Sequence, residues 1–209
     1  MSHALTLMQW LSPAFPVGAF AYSHGLEQVI ADGTVADADG LHAWICALVT
    51  HGSARADAVL LAAAYHAEEP GTVDATARAF AASAERLKET DLQGAAFCDT
   101  ARAVWGLELH GLTYPVAVGC AARAMDIPLG QTLPLYLHGF ASNLVSVAQR
   151  AMPLGQTDGQ KVLAALSPAI EDTAAFAGTA TLDDLASTSF AADIAAMRHE
   201  TLQPRIFRT

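Results

Sequence analysis

The chain has 209 residues, 53% of them hydrophobic and 15% charged, with a formal net charge of −10 at pH 7. That length and apolar content allow one domain with a sizeable core and exclude a disordered chain. The acidity argues against nucleic acid or an anionic membrane surface as the main partner.

In chain order, the first 26 residues carry no Asp, Glu, Lys or Arg. No basic residue precedes the apolar stretch, and Pro13, Pro16 and Gly18 interrupt it, so the pattern is not that of a signal peptide. Residues 11–27, LSPAFPVGAFAYSHGLE, read as a rigid loop in which Ser23 caps the helix that follows, with Phe20 and Tyr22 packed against that helix. Leu41, Trp44, Ile45, Leu48 and Val49 then fall on one helical face, between Asp37 as N-cap and Gly52 as stop. Residues 57–67 and 73–110 read as helices parted at Pro70-Gly71, with a further break near Gly94. Tyr114-Pro115 opens another helix, and Pro134 opens the next, which runs to about Arg150. The uncharged run from Ile127 to Gln149 is long enough to span a bilayer, but Gln131, His138, Asn143, Ser146 and two prolines make it a buried helix of a soluble protein. Thr157 and Gln160 have capping-box spacing, and Ser167-Pro168 reads as another cap followed by a first-turn proline.

Alanine is abundant, aromatic residues are only 7%, and no stretch alternates with period two. The expectation is an all-α, single compact domain of roughly eight to ten helices over residues 1–209. Residues 1–23 form its N-terminal helix and loop, and 198–209 a C-terminal interaction tail. Cys46, Cys98 and Cys120 are odd in number and far apart, which fits a reduced, cytosolic compartment.

The search for chemistry yields little. There is no GxxxxGK[ST], HExxH, CxxC or GxSxG motif. His24 and Glu27 stand i, i+3, two potential ligands where a stable metal site needs three or four. No catalytic residue, metal or cofactor is therefore expected. On the helix from Pro134, Gly139, Asn143, Ser146 and Arg150 form a stripe of small and polar groups. Close helix packing explains the first three. Arg150 at the helix end either complements the dipole or meets a partner. The ending MRHETLQPRIFRT holds Arg198, Arg205 and Arg208, three of the eleven basic side chains of an acidic molecule.

Three blocks are too particular for helix filler: residues 11–27, YLHGFASNLVSVAQRAMPLGQTDGQ at 136–160, and the tail. In that order they resemble the UreF family of urease accessory proteins, whose first block typically reads PVGGFSYSHGLE and whose tail reads MRHETQYSRLFRS. The resemblance covers residues 7–27 and 114–209; between them only KETDLQG, residues 88–94, gives a faint echo. It implies a helical, cytoplasmic, non-catalytic protein that dimerises and binds UreD (UreH in some species). That complex recruits the GTPase UreG and acts on the urease apoprotein, so that nickel enters its active site. The resemblance carries over Tyr22, His24, Glu27, Arg150, Arg198, His199, Glu200, Arg205, Phe207 and Arg208 as interaction residues. Ala19 replaces a family glycine, and Leu202, Gln203 and Pro204 replace Gln, Tyr and Ser, which removes a tyrosine anchor. On this view the tail becomes ordered mainly when docked on UreD. The alternatives are a nickel-binding carrier using His24, Glu27 and other histidines, or a small helical hydrolase.

Overall fold

The computed structural model describes residues 2–209. Among these residues all regular structure is helical: α1 (His3–Trp10), α2 (Leu26–Ala31), α3 (Ala38–His51), α4 (Ser53–His66), α5 (Gly71–Ala79), α6 (Ala84–Trp105), α7 (Tyr114–Ala124), α8 (Leu129–Ala151), α9 (Gln156–Ala165), α10 (Ser167–Ala177) and α11 (Phe190–His199), plus two short 3-10 turns. The fold is all-α.

α3 follows its sequence pattern. Asp37 accepts from the Gly40 N–H at 2.8 Å, and Leu41, Ile45, Leu48 and Val49 are buried. Gly52 ends α3 and α4 begins at once. The stretch Ala38–His66 is apolar and long enough to cross a membrane, but it consists of these two helices and is mostly buried against the rest of the fold. α4 and α7 form the most extensive helix pair. They lie so close that a Cβ on Gly119 would overlap the Leu61 carbonyl.

The expected break at Gly94 does not occur; α6 runs unbroken from Ala84 to Trp105. The glycine serves a close approach instead. The Leu112–Tyr114 backbone crosses α6 there, and any Cβ would collide with the Leu112 carbonyl. The break falls earlier, where the Ser83 hydroxyl accepts from the Arg86 N–H at 3.1 Å and caps α6. Pro134 likewise lies inside α8, which starts at Leu129. The missing N–H frees only the carbonyl of Gly130, an exposed residue that water can satisfy. α9 begins at Gln156 with no side-chain cap, so Thr157 and Gln160 form no capping box. Ser167 likewise caps nothing, being the first residue of α10 after Leu166, though Pro168 does sit in the first turn. The reciprocal box is made by Thr181 and Asp184.

One aromatic cluster ties the N-terminal segment to the bundle. Trp10 of α1 meets Phe97 and Trp105 of α6 edge-on at 5.4 and 5.7 Å, and Phe15 lies against both. The loop of residues 11–25 is thereby fixed over α6 and α8. Cys46, Cys98 and Cys120 are free thiols.

Candidate functional site

The loop after α1 reaches α2 through left-handed backbone at Gly18 and Gly25 (φ 72° and 76°). Ala19 sits in the 3-10 turn Ala19–Ala21 and is not among the positive-φ residues, so the replacement of a glycine there strains nothing. Gly25 is doubly constrained: beyond its φ, a Cβ would lie 2.7 Å from the backbone nitrogen of Ala196, where α11 crosses. His24 also has positive φ (52°), uncommon for a side chain with a Cβ. Ser23 is not the expected N-cap, a place taken by Gly25 with no side-chain cap. The Ser23 hydroxyl only accepts a long bond from the Glu27 N–H at 3.4 Å while donating to the Thr209 carbonyl. Phe20 and Tyr22 part company. Tyr22 is buried and its carbonyl accepts from Asn143 Nδ2 at 3.2 Å, whereas Phe20 is exposed. Asn143 and Gly139, which faces Leu11, thus use the small-polar stripe of α8 to seat this loop.

The tail returns to the same place. Arg208 N–H donates to the Ala21 carbonyl and Ser23 N–H to the Thr209 carbonyl, both at 2.8 Å. The Glu27 carboxylate accepts from the N–H groups of Ile206 and Phe207 at 2.6 and 3.0 Å. Phe207 and Thr209 are buried, and the Arg150 guanidinium lies 4.5 Å over the Phe207 ring. An arm that orders only on a partner is therefore corrected: in the single chain the tail is packed on α2, α6 and α8. The cause is His199, wholly buried at the end of α11. Its Nδ1 stands 2.8 Å from Glu85 and its Nε2 2.8 Å from Glu27. Only a ring carrying hydrogen on both nitrogens donates to both carboxylates. Arg205 pairs with Glu85 from the other side, and Glu200 accepts from the Ala84 N–H at the start of α6.

Beneath this layer lies a second one that sequence reasoning missed. Glu89 of α6 is buried between His24 Nε2 at 3.1 Å and Arg86 at 2.8 Å, and it also accepts from the Thr209 hydroxyl. Arg86 reaches Asp57 of α4 at 3.4 Å, and Tyr136 of α8 donates to the same carboxylate oxygen. Burial would raise the Glu89 carboxyl, but Arg86 and His24 reverse the effect and hold it down to about 2. Asp57 goes the other way: burial pushes it up, and the Arg86 charge only partly opposes that. Tyr22 is raised by burial and by Glu89, with Arg208 opposing. The polar run Glu85, Glu89, Gln93 at i, i+4, i+8, continued on the same face by the buried Phe97 and Ala101, was the available signal. Asp57, a lone acid in an alanine-rich helix, gave none.

The sequence-derived residues thus sort into two sets. Tyr22, His24, Glu27, His199 and Phe207 are buried and brace one another. Arg150, Arg198, Glu200, Arg205 and Arg208 are exposed around the docked tail. Nearby, α11 shows solvent an apolar row, Phe190, Ile194 and Met197, at 69%, 48% and 52% exposure, and the tail adds Ile206 at 70%. Among the described residues no group of three or more His, Cys, Asp or Glu is disposed to hold a metal ion.

Comparison with known proteins identifies the family. The family model UreF matches residues 35–167, more than half of the chain. A urease accessory protein UreF of Ruegeria sp. strain TM1040 is 59% identical over 208 residues, covering 98% of this chain and 97% of its own length. The UreF proteins of Roseobacter denitrificans and Cereibacter sphaeroides are 56% and 52% identical, each match covering 98% of this chain and, respectively, 93% and 98% of theirs. With both the family model and near full-length relatives in agreement, the chain belongs to the UreF family of urease accessory proteins.

Proposed function

We propose that this protein is a non-catalytic, cytoplasmic chaperone of urease maturation. It acts as a dimer with UreD, recruits the GTPase UreG, and so enables nickel insertion into the urease apoprotein. The observation that carries the reading is the pairing of an exposed apolar row on α11 with a tail whose backbone is tied down by Glu27 and His199. Exposed aromatic and aliphatic groups of this kind, rimmed by Arg198, Arg205 and Arg208, have the make-up of a protein-binding surface. Tyr22, His24, Glu27, His199 and Phe207 serve it from below by fixing its shape, while the arginines and Glu200 touch the partner. The nucleotide chemistry belongs to UreG.

Phe190→Asp and Ile206→Asp, both at exposed positions, test the reading in a strain lacking the wild-type protein. The variants are expected to fold, to lose co-purifying UreD and to leave urease inactive. Normal capture and normal activation by both would refute it.

A further inference from the structure

Apolar walls from α4, α5 and α11 lead down to a carboxylate that the fold leaves unfinished. Leu60, Ala77, Phe80, Ile194 and Met197 line a cavity of about 390 Å³, with Asp57, Arg86, Thr90 and His24 at its floor and Asp193 of α11, held by the Ser187 hydroxyl, higher on its wall. A second cavity of about 310 Å³, under the 11–25 loop and α8, shares Asp57, Arg86, Thr90 and His24. Asp57 Oδ2 is engaged by Tyr136 and Arg86; Oδ1 has no hydrogen-bond partner among the described residues. His24 is only 7% exposed, and its Nδ1 is likewise without a partner.

The charges do not balance. One guanidinium, Arg86, serves two carboxylates and stands closer to Glu89 (2.8 Å) than to Asp57 (3.4 Å). With both acids ionised and His24 neutral, one negative charge is left over at the floor, and Asp193 on the α11 wall adds a further carboxylate rather than a cation. An uncompensated charge out of water is expensive. A proton added at His24 Nδ1 would itself lack an acceptor. A cation entering from the cavity would meet two vacant acceptors, Asp57 Oδ1 and His24 Nδ1, at the foot of apolar walls. Because a single carboxylate oxygen is free, a compact ammonium suits the floor better than the two-pronged guanidinium.

We propose that the cavity between α4, α5 and α11 receives a lysine side chain of a partner protein, its aliphatic stem against Phe80, Ile194 and Met197 and its ammonium on Asp57. This rests on the reading of α11 as a docking surface and names the chemistry that the surface selects: a basic segment, complementary to a chain of net charge −10. Burial favours the protonated carboxyl of Asp57 in the empty site, and it raises Asp193 on the facing α11 wall in the same direction, so entry of the ammonium displaces a proton, and binding strengthens as pH rises.

The test uses the full chain and two probes of lysine side-chain size, n-butylammonium and n-butanol, titrated by NMR. Butylammonium is expected to perturb Ile194 and Met197, to bind more tightly at higher pH, and to lose about tenfold in affinity in Asp57→Asn, a change that keeps shape and removes charge. Butanol binding is expected to be indifferent to both. Equal, pH-independent binding of the two probes by the wild-type chain overturns the proposal, whatever the stability of the variant. Partner capture supplies the second arm. Loss of capture in folded Asp57→Asn supports the lysine pocket. Capture lost in Ile206→Asp but kept in Asp57→Asn overturns the pocket and leaves the docking surface standing. Capture kept in both overturns the docking reading itself.

Discussion

α4 and α7 meet through alanine, valine, leucine and one glycine, whereas α2, α6, α11 and the tail meet through Glu27, Glu85, Glu89, Arg86, His24 and His199. The first contact is held by close packing, which is non-directional and survives small shifts. The second is held by groups that have given up water and depend on each partner being in place. The apolar half could be built from many sequences, while the charged half fixes one arrangement of loop, α11 and tail, the part that a partner would read.

The largest expected effect breaks the charged half. Glu89→Ala leaves Arg86 buried without its nearest carboxylate and is expected to destabilise by about 3–5 kcal/mol, read from urea unfolding. A loss below about 1 kcal/mol would mean that the network braces nothing.

Acid probes the same contact without mutation. The folded carboxyl of Glu89 lies near 2 against an ordinary 4.5. Its folded value is depressed, so its stabilisation is complete above the ordinary value and is lost as pH falls towards the folded one. Over that window it amounts to about 3 kcal/mol. Asp57 opposes it: a raised carboxyl favours the folded state as pH falls, so the net loss is smaller than Glu89 alone would give. Stability of Glu89→Gln is expected to fall less over the same window than that of the wild type. Parallel curves would contradict the assignment.

The apolar half gives a middle-sized effect. Gly119→Ala forces a methyl onto the Leu61 carbonyl and is expected to cost about 1–3 kcal/mol, with an unchanged acid profile. A shift in that profile would show the halves to be coupled. Smallest in stability is Arg150→Ala, which removes a stacking cation and a helix-end charge worth together about 1 kcal/mol. Its expected consequence is functional: weakened urease activation by a protein that melts nearly as before.

The two halves also differed in how legible they were. α3 could be read outright because its apolar period, its Asp37 cap and its Gly52 stop agree. Gly94 and Pro134 misled because a breaker's usual meaning is local, while here a crossing backbone and an exposed carbonyl decide. The charged half was nearly opaque. Ser23 meets Thr209 across 186 positions and Glu27 meets Phe207 across 180. No spacing rule connects such residues, so the tail looked free when it is held. The motif blocks singled out Tyr22, His24, Glu27 and His199 as partner contacts, but gave no hint that they lie buried beside one another.

The most direct test of the account is hydrogen exchange at the Ile206 and Phe207 amides in the isolated chain. Both donate to Glu27, itself locked by His199. The expected result is protection that persists without any partner and collapses in His199→Phe, a ring of similar size with no N–H to donate to either carboxylate. Exchange at the rate of an unfolded peptide in the wild-type chain would contradict it, and would mean that the tail is a loose arm after all.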